Sequence, residues 1–153
     1  MKIGIIIYSQ TGNTLSVAQR LKKQLTDSGH TVTIERITTQ NESDSKPDLV
    51  TLTNEPKTND YDALIFGAPV HAFNAAAAMQ AYLTKQTLKN KPVMVFVTML
   101  FPFAFLGGNG AIKKLCALCS SKGANVTKTG IINWSNAEKR EKKITQLIDE
   151  FKM

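Results

Sequence analysis

The sequence is poor in the residues that mark several classes of protein. Of its 153 residues, two are cysteine, five proline and nine glycine, which excludes a disulfide framework, a collagen-like chain and low-complexity disorder. No apolar run approaches the ~20 residues that a membrane-spanning helix needs. The first apolar stretch, residues 3–8, is too short for a secretory signal, and no small-residue cleavage site follows it. We therefore expect one cytoplasmic domain over residues 1–153, without a membrane span.

Acidic residues are few compared with basic ones. Nineteen Lys and Arg against twelve Asp and Glu give a formal net charge of +7. Residues 1–76 contain 7 basic and 8 acidic side chains, whereas residues 77–153 contain 12 and 4, so the excess lies in the second half. Such an asymmetry suits an acidic partner or a nucleic acid. Because the lysines are scattered and no arginine alternates with aromatic residues, we favour a solvated surface and expect no nucleic-acid binding.

Apolar segments alternate along the chain with segments of helical periodicity. Strands are predicted at residues 3–8, 31–36, 63–66, 93–97 and 126–134. Helices are predicted at residues 14–28, 75–86, 111–121 and 136–151, with a further short helix near residues 48–53. The first, third and fourth strands are apolar throughout, which indicates burial on both faces of a parallel sheet. The predicted fold is therefore α/β, a doubly wound five-stranded parallel sheet of order 2-1-3-4-5 with helices on both faces.

In such a sheet, ligands bind beyond the carboxyl ends of the strands, at the loops after strands one, three and four. The first of these loops contains Ser9, Gln10, Thr11, Gly12, Asn13 and Thr14. It has no Walker A ending, no GxGxxG pattern and no Lys or Arg. Because it leads into a helix N-terminus, we predict that it binds one terminal monophosphate through neutral donors. Helix capping by Thr11 or Asn13 is the alternative interpretation.

Residues 8–14 resemble the phosphate loop of flavodoxins, the S/T-x-T-G-x-T pattern that binds the phosphate of FMN. The second loop resembles the G-x-P…N-x-x-x-x-M-x-x-F/Y-L segment of flavodoxin-like NAD(P)H:quinone oxidoreductases. The matching residues are Gly67, Pro69, Asn74, Met79, Tyr82 and Leu83. The third loop resembles the T-S…G-G-Q segment of that branch, with Asn109 in place of Gln and no alignment over residues 99–106. The resemblance covers about residues 3–130.

This resemblance implies a flavodoxin-like domain in which the three loops bind FMN. The implied FMN-binding residues are Ser9, Gln10, Thr11, Gly12, Asn13 and Thr14, then Ala68, Pro69, Val70, His71, Ala72, Phe73 and Asn74, and finally Thr98, Met99, Gly107, Gly108 and Asn109. The phenylalanines at positions 73, 101, 103 and 105 would cover the flat ring, unless they pack within their own loop or in a dimer contact. Gly107 and Gly108 would offer backbone N–H groups to the ring, or else form a hinge.

The second loop has no glycine between Pro69 and Asn74. Of its residues, only Asn74 is expected to tolerate a positive φ, and Asn74 is expected to cap the next helix. In flavodoxins, a turn beside the flavin flips on reduction, and one residue of the flipped turn needs a positive φ. The second loop is therefore expected to favour two-electron over one-electron reduction.

Two functions follow from the resemblance. The first is an FMN-dependent oxidoreductase that passes electrons from NAD(P)H to a quinone or a similar small acceptor. The second is a flavodoxin proper, a one-electron carrier between protein partners. Flavodoxins are typically acidic, so a carrier with a charge of +7 would need a redox partner with an acidic docking face. Enzymes of the quinone oxidoreductase branch are usually larger and oligomeric. For this chain, a homodimer is an alternative that the sequence leaves undecided.

The two cysteines form a CxxC pair, which in some proteins is a redox or metal site. Cys116 and Cys119 fall within a predicted helix, on the same apolar face as Ile112 and Leu115. Nothing in that segment would lower a thiol pKa, so we predict buried core residues. The sequence indicates no metal site and no catalytic side chain.

Overall fold

The computed structural model describes residues 1–41, 46–100, 103 and 107–151. The main sheet of this part consists of β1 (Lys2–Ile7), β2 (Thr31–Arg36), β5 (Ala63–His71), β7 (Pro92–Met99) and β8 (Asn125–Asn133). The strands lie in the order β2-β1-β5-β7-β8, and each neighbouring pair is parallel. The predicted fold class and the order 2-1-3-4-5 are therefore confirmed.

Helices cover both faces of this sheet. They are α1 (Asn13–Asp27), α2 (Ala77–Thr84), α3 (Gly108–Ser121) and α4 (Ala137–Glu150). One apolar core joins the sheet to α1 and α4, and a second core joins it to α2 and α3. In β1, Ile5 belongs to the first core and Ile6 to the second, because successive side chains of a strand point to opposite faces. None of the helices in the described ranges is long and apolar enough to cross a membrane.

The helix predicted near residues 48–53 is wrong. Pro47–Leu49 form a single 3₁₀ turn, and Leu52–Asn54 form strand β4. This strand pairs antiparallel with β3 (Thr38–Thr39), and the hydroxyls of Thr38 and Thr53 are hydrogen-bonded at 2.7 Å. Pro47 does occupy the first turn, as expected, but the β-branched residues that follow favour an extended chain.

The two cysteines of α3 pack against the core, as predicted. Cys119 is fully buried, and Cys116 is partly buried against the same core. Burial raises the pKa of the Cys119 thiol to about 12, so this thiol stays protonated at neutral pH. Among the described residues, no group of three His, Cys, Asp or Glu side chains could bind a metal ion.

Gly67 allows β5 and β7 to pack beside the candidate site. It pairs with Phe96 in the register of the two strands, and the Phe96 ring occupies the space where a Cβ atom of residue 67 would lie. Phe96 is itself fully buried. A side chain at residue 67 would therefore displace a core aromatic ring next to the end of β5.

We expect Gly67→Ala to lower the free energy of unfolding by about 1–3 kcal/mol, because a well-packed core resists an added methyl group. Gly110→Ala is the matched control: it lies in α3 with nothing within 4 Å of its added Cβ atom. We expect this control to be neutral or to gain up to about 1 kcal/mol. Urea unfolding of both variants measures the difference, and equal stability would contradict the packing described.

Candidate functional site

A cleft lies at the carboxyl ends of β1, β5 and β7, where the three predicted loops meet. Its empty volume is ≈ 410 Å³. The lining residues are Gln10, Thr11, Asn13 and Thr14 from the first loop, Pro69, Val70 and His71 from the second, and Thr98, Met99 and Leu100 from the third. All of these except Leu100 were predicted from the sequence. The order of the sheet brings them together, because these three strands are neighbours.

The first loop ends at a helix whose N-cap residue has no side chain. Gly12 is the N-cap residue of α1, with φ 91°, and the Ser9 hydroxyl accepts a hydrogen bond from the N–H of Leu15 in the first turn at 3.3 Å. The first turn also contains no acidic residue. Capping by Thr11 or Asn13, the alternative interpretation of this loop, is therefore wrong. The N–H groups of Asn13 and Thr14 have no partner within the helix, and both residues line the cleft at the positive end of the helix dipole.

A buried pair of hydroxyls joins the first loop to the third. The Oγ1 atoms of Thr14 and Thr98 are 2.9 Å apart, and both residues are almost completely buried. Each hydroxyl has one proton, so only one of the two protons is used in this hydrogen bond. The second proton remains to be donated to an acceptor in the cleft. This pair is thus both a link between the loops and a neutral donor.

The second loop is a tight hairpin. Its two arms are the end of β5 and β6 (Asn74–Ala75), paired as Val70 with Ala75 and His71 with Asn74. The turn residues Ala72 and Phe73 have φ values of 49° and 62°. The expectation that only Asn74 would accept a positive φ is therefore wrong. A two-residue hairpin of this kind requires two residues in the left-handed region, whatever their side chains.

Asn74 has a different role from the one predicted. Its Oδ1 accepts a hydrogen bond from the backbone N–H of Ala75 at 2.8 Å, within the hairpin. The N-cap residue of α2 is Ala76, and no side chain caps that helix. Asn74 therefore stabilises the hairpin and leaves the start of α2 uncapped.

The two glycines of the third loop are required by close packing. Gly107 has φ 112°, and a Cβ atom there would lie 2.7 Å from the Cα of Phe73. A Cβ atom on Gly108 would lie 2.8 Å from the sulfur of Met99. Because both glycines are buried against neighbouring residues, the hinge interpretation does not fit them. Gly107 instead supports the left-handed turn of the second loop.

Other predicted residues lie outside the cleft wall. Ala68 is fully buried in β5, Ser9 is buried at the start of the first loop, and Asn109 is exposed at the start of α3. Phe101 and Phe105 lie outside the described residues. Three apolar side chains of the second and third loops are exposed, namely Phe73, Leu100 and Phe103, which are 58%, 70% and 57% accessible. Leu100 was missed because the segment after Thr98 matches no pattern in the sequence.

His71 is the titratable residue in the cleft wall. Its ring packs edge-on against Tyr8, with 6.3 Å between the ring centroids. The Tyr8 hydroxyl accepts a hydrogen bond from Nε2 of Gln10 at 3.0 Å. Burial lowers the pKa of His71 from its ordinary value, because an apolar environment disfavours the imidazolium ion. His71 therefore presents a neutral ring to the cleft at pH 7.

Arg36 lies beside the first loop, and sequence reasoning missed this neighbour. It ends β2, and its Nη2 donates a hydrogen bond to the backbone carbonyl of Ser9 at 2.8 Å. The signal was present in the predicted strand order, because the end of the second strand must flank the loop that follows the first. The uncharged first loop thus has a guanidinium group beside it.

Comparison with known proteins gives a consistent picture. The family model for the flavodoxin domain matches residues 5–103. No curated protein matches the chain. The solved structures that resemble it include the flavodoxin of Streptococcus pneumoniae TIGR4 (18% identity, 98% of this chain and 97% of that chain, TM-score 0.69) and flavodoxin 1 of Bacillus cereus (17%, 99% and 97%, TM-score 0.70). A flavoprotein of Lactobacillus acidophilus in complex with FMN is also similar (18%, 85% and 92%, TM-score 0.64).

We expect the stability of the wild type to fall more steeply with acidification than that of His71→Gln. Because the pKa of His71 is lowered on folding, the unfolded chain binds the proton more readily. The contribution of the neutral ring is complete above the ordinary value of 6.5 and is lost as the pH falls through 6.5 towards the folded pKa. Urea midpoints measured between about pH 5 and pH 8 test this. Identical slopes for wild type and His71→Gln would contradict the prediction.

Proposed function

The chain belongs to the flavodoxin domain family, and on that premise we propose that it is an FMN-binding redox protein that passes electrons from NAD(P)H to a quinone or a similar small acceptor. The observation that carries the proposal is the N-terminus of α1, which begins at the glycine N-cap Gly12 and lines a cleft formed by all three loops. Such a helix end binds a phosphate group through backbone N–H groups and the helix dipole.

The residues of the cleft fit FMN better than a dinucleotide. The donors of the first loop are neutral, and the loop is open beside Gly12, where a Cβ atom would meet nothing within 4 Å. Residues 10–14 and the Thr98 hydroxyl would bind the phosphate, and Pro69, Val70 and His71 would lie along the ring. The bound flavin supplies hydride and electron transfer. The protein would orient its ring between the second and third loops and exclude water from one side of it.

The mouth of the cleft suits an uncharged acceptor. Residues 8–14, 69–76 and 98–110 contain no Asp, Glu, Lys or Arg, although 20% of the whole chain is charged. The exposed side chains of the second and third loops include Phe73, Leu100 and Phe103. A flat, uncharged molecule gains most from such a surface, because it loses no charge hydration when it binds. This observation favours a quinone-like acceptor.

A second candidate function is that of a flavodoxin proper, a one-electron carrier. Two observations favour it: the three loops offer no cation for the phosphates of a dinucleotide, and the similar structures named flavodoxins match this chain over almost its whole length. A carrier with this charge would dock on a partner protein with an acidic face. The two candidates differ in whether NAD(P)H itself reduces the bound flavin.

We expect Thr11→Ala and Thr14→Ala to weaken FMN binding by about 1–3 kcal/mol each, because each removes a donor to a charged acceptor. Fluorescence titration of the apoprotein with FMN measures the dissociation constants. Thr129→Ala is the matched control, since Thr129 is exposed on the edge strand β8. Unchanged dissociation constants in both loop variants would remove the first loop from the site. Mass spectrometry of the released cofactor should show FMN, and FAD would contradict the proposal.

We expect anaerobic addition of NADH or NADPH to the FMN-loaded protein to bleach the flavin absorbance, and a quinone to restore it. The rate of reoxidation by an uncharged quinone should change little with added salt, because a molecule without charge is not steered electrostatically. No bleaching by either nucleotide would instead favour the carrier. In that case, electron exchange with an acidic redox protein should slow as salt is added.

A further inference from the structure

We propose that Arg36 is a positioning residue that makes this site selective for a phosphorylated flavin. It would act by fixing the backbone of Ser9 and by placing a positive charge behind a loop that has none. This inference rests on the proposed FMN-binding function and deepens it, because it names which part of the ligand the neighbouring strand recognises.

The contacts of Ser9 show how Arg36 positions the loop. The Ser9 carbonyl accepts the hydrogen bond from Arg36, and the Ser9 hydroxyl accepts one from the N–H of Leu15 in α1 at 3.3 Å. Ser9 is therefore bonded to β2 on one side and to the first turns of α1 on the other. It is also buried, at 6% accessible. These contacts hold Ser9 in place, and Ser9 in turn orients the N–H groups at the start of α1.

The register of the sheet holds the base of Arg36 in place. Arg36 pairs with Ile7, the last residue of β1, and the next residue donates its N–H to the Ile7 carbonyl at 2.8 Å. Asn54 in β4 donates a side-chain hydrogen bond to the Arg36 carbonyl. The backbone of Arg36 is thus bonded on two sides, and its side chain extends from a fixed point towards the first loop.

Among the residues that the structure describes, no ion pair neutralises the charge of Arg36. Within the described ranges, the ion pairs of the chain involve other residues, and no carboxylate lies within 4.0 Å of this guanidinium. A guanidinium has five N–H donors, and the Ser9 carbonyl uses one of them. Its positive charge adds to that of the helix end, so a dianionic phosphate at the loop gains and an uncharged ligand does not.

The test compares FMN with riboflavin, which has the same ring and no phosphate. Dissociation constants of both flavins are measured for the full chain and for Arg36→Lys and Arg36→Gln, at low and high salt, with melting temperatures recorded for each protein. Arg36→Lys keeps the charge, whereas Arg36→Gln keeps a hydrogen-bond donor and loses the charge. Arg20→Gln is the matched control, because Arg20 lies on α1 and is paired with Glu141.

We expect Arg36→Gln to weaken FMN binding roughly three- to tenfold at low salt and to leave riboflavin binding unchanged. Arg36→Lys should stay close to wild type for FMN, and added salt should remove the difference between the variants. An unchanged FMN to riboflavin ratio in Arg36→Gln, or equal losses for both flavins, would overturn the inference and leave FMN binding intact. A wild type that binds neither flavin would instead overturn the proposed function itself.

Discussion

Burial of the central strands on both faces is the constraint on which the rest of the structure depends. The backbone groups of β1, β5 and β7 lie between two layers of helix, so each strand must find its hydrogen-bond partners in its neighbours. Side chains of these strands, such as Ile5 and Ile65, are completely buried. The parallel arrangement that results places the carboxyl ends of all three strands at one edge. A cleft at this edge is therefore a consequence of how the core is buried.

The second loop of the candidate site contains strained backbone conformations, and neighbouring residues stabilise them. Ala72 and Phe73 adopt left-handed conformations that cost a residue with a side chain about 1–2 kcal/mol each. The hairpin pairing of His71 with Asn74 and the glycine at 107 beneath the turn compensate for this cost. Since strain of this kind persists where the surrounding structure fixes it, the second loop is a rigid wall of the cleft.

Charge is distributed unevenly between the site and the rest of the surface. The excess of lysine lies in the second half of the chain, whereas the cleft loops are uncharged. The neutral His71 and the hydroxyls of Thr14 and Thr98 continue this pattern inside the cleft. Electrostatic recognition near the site is therefore left to the end of helix α1 and to the guanidinium of Arg36.

The sequence by itself determined the layers of the fold, the order of the strands and which three loops meet at the cleft. These features depend on local apolar periodicity and on polar residues that directly follow buried strands, and both can be read along the chain. The tertiary structure decided the pairing of residues 52–54 with β3, the left-handed turn at Ala72 and Phe73, and the contact of Arg36 with the first loop. Each of these depends on a partner distant in sequence, namely Thr38, Gly107 and Ser9 respectively. Local propensity carries no information about such a partner, because the contact exists only once the sheet has brought the two segments together.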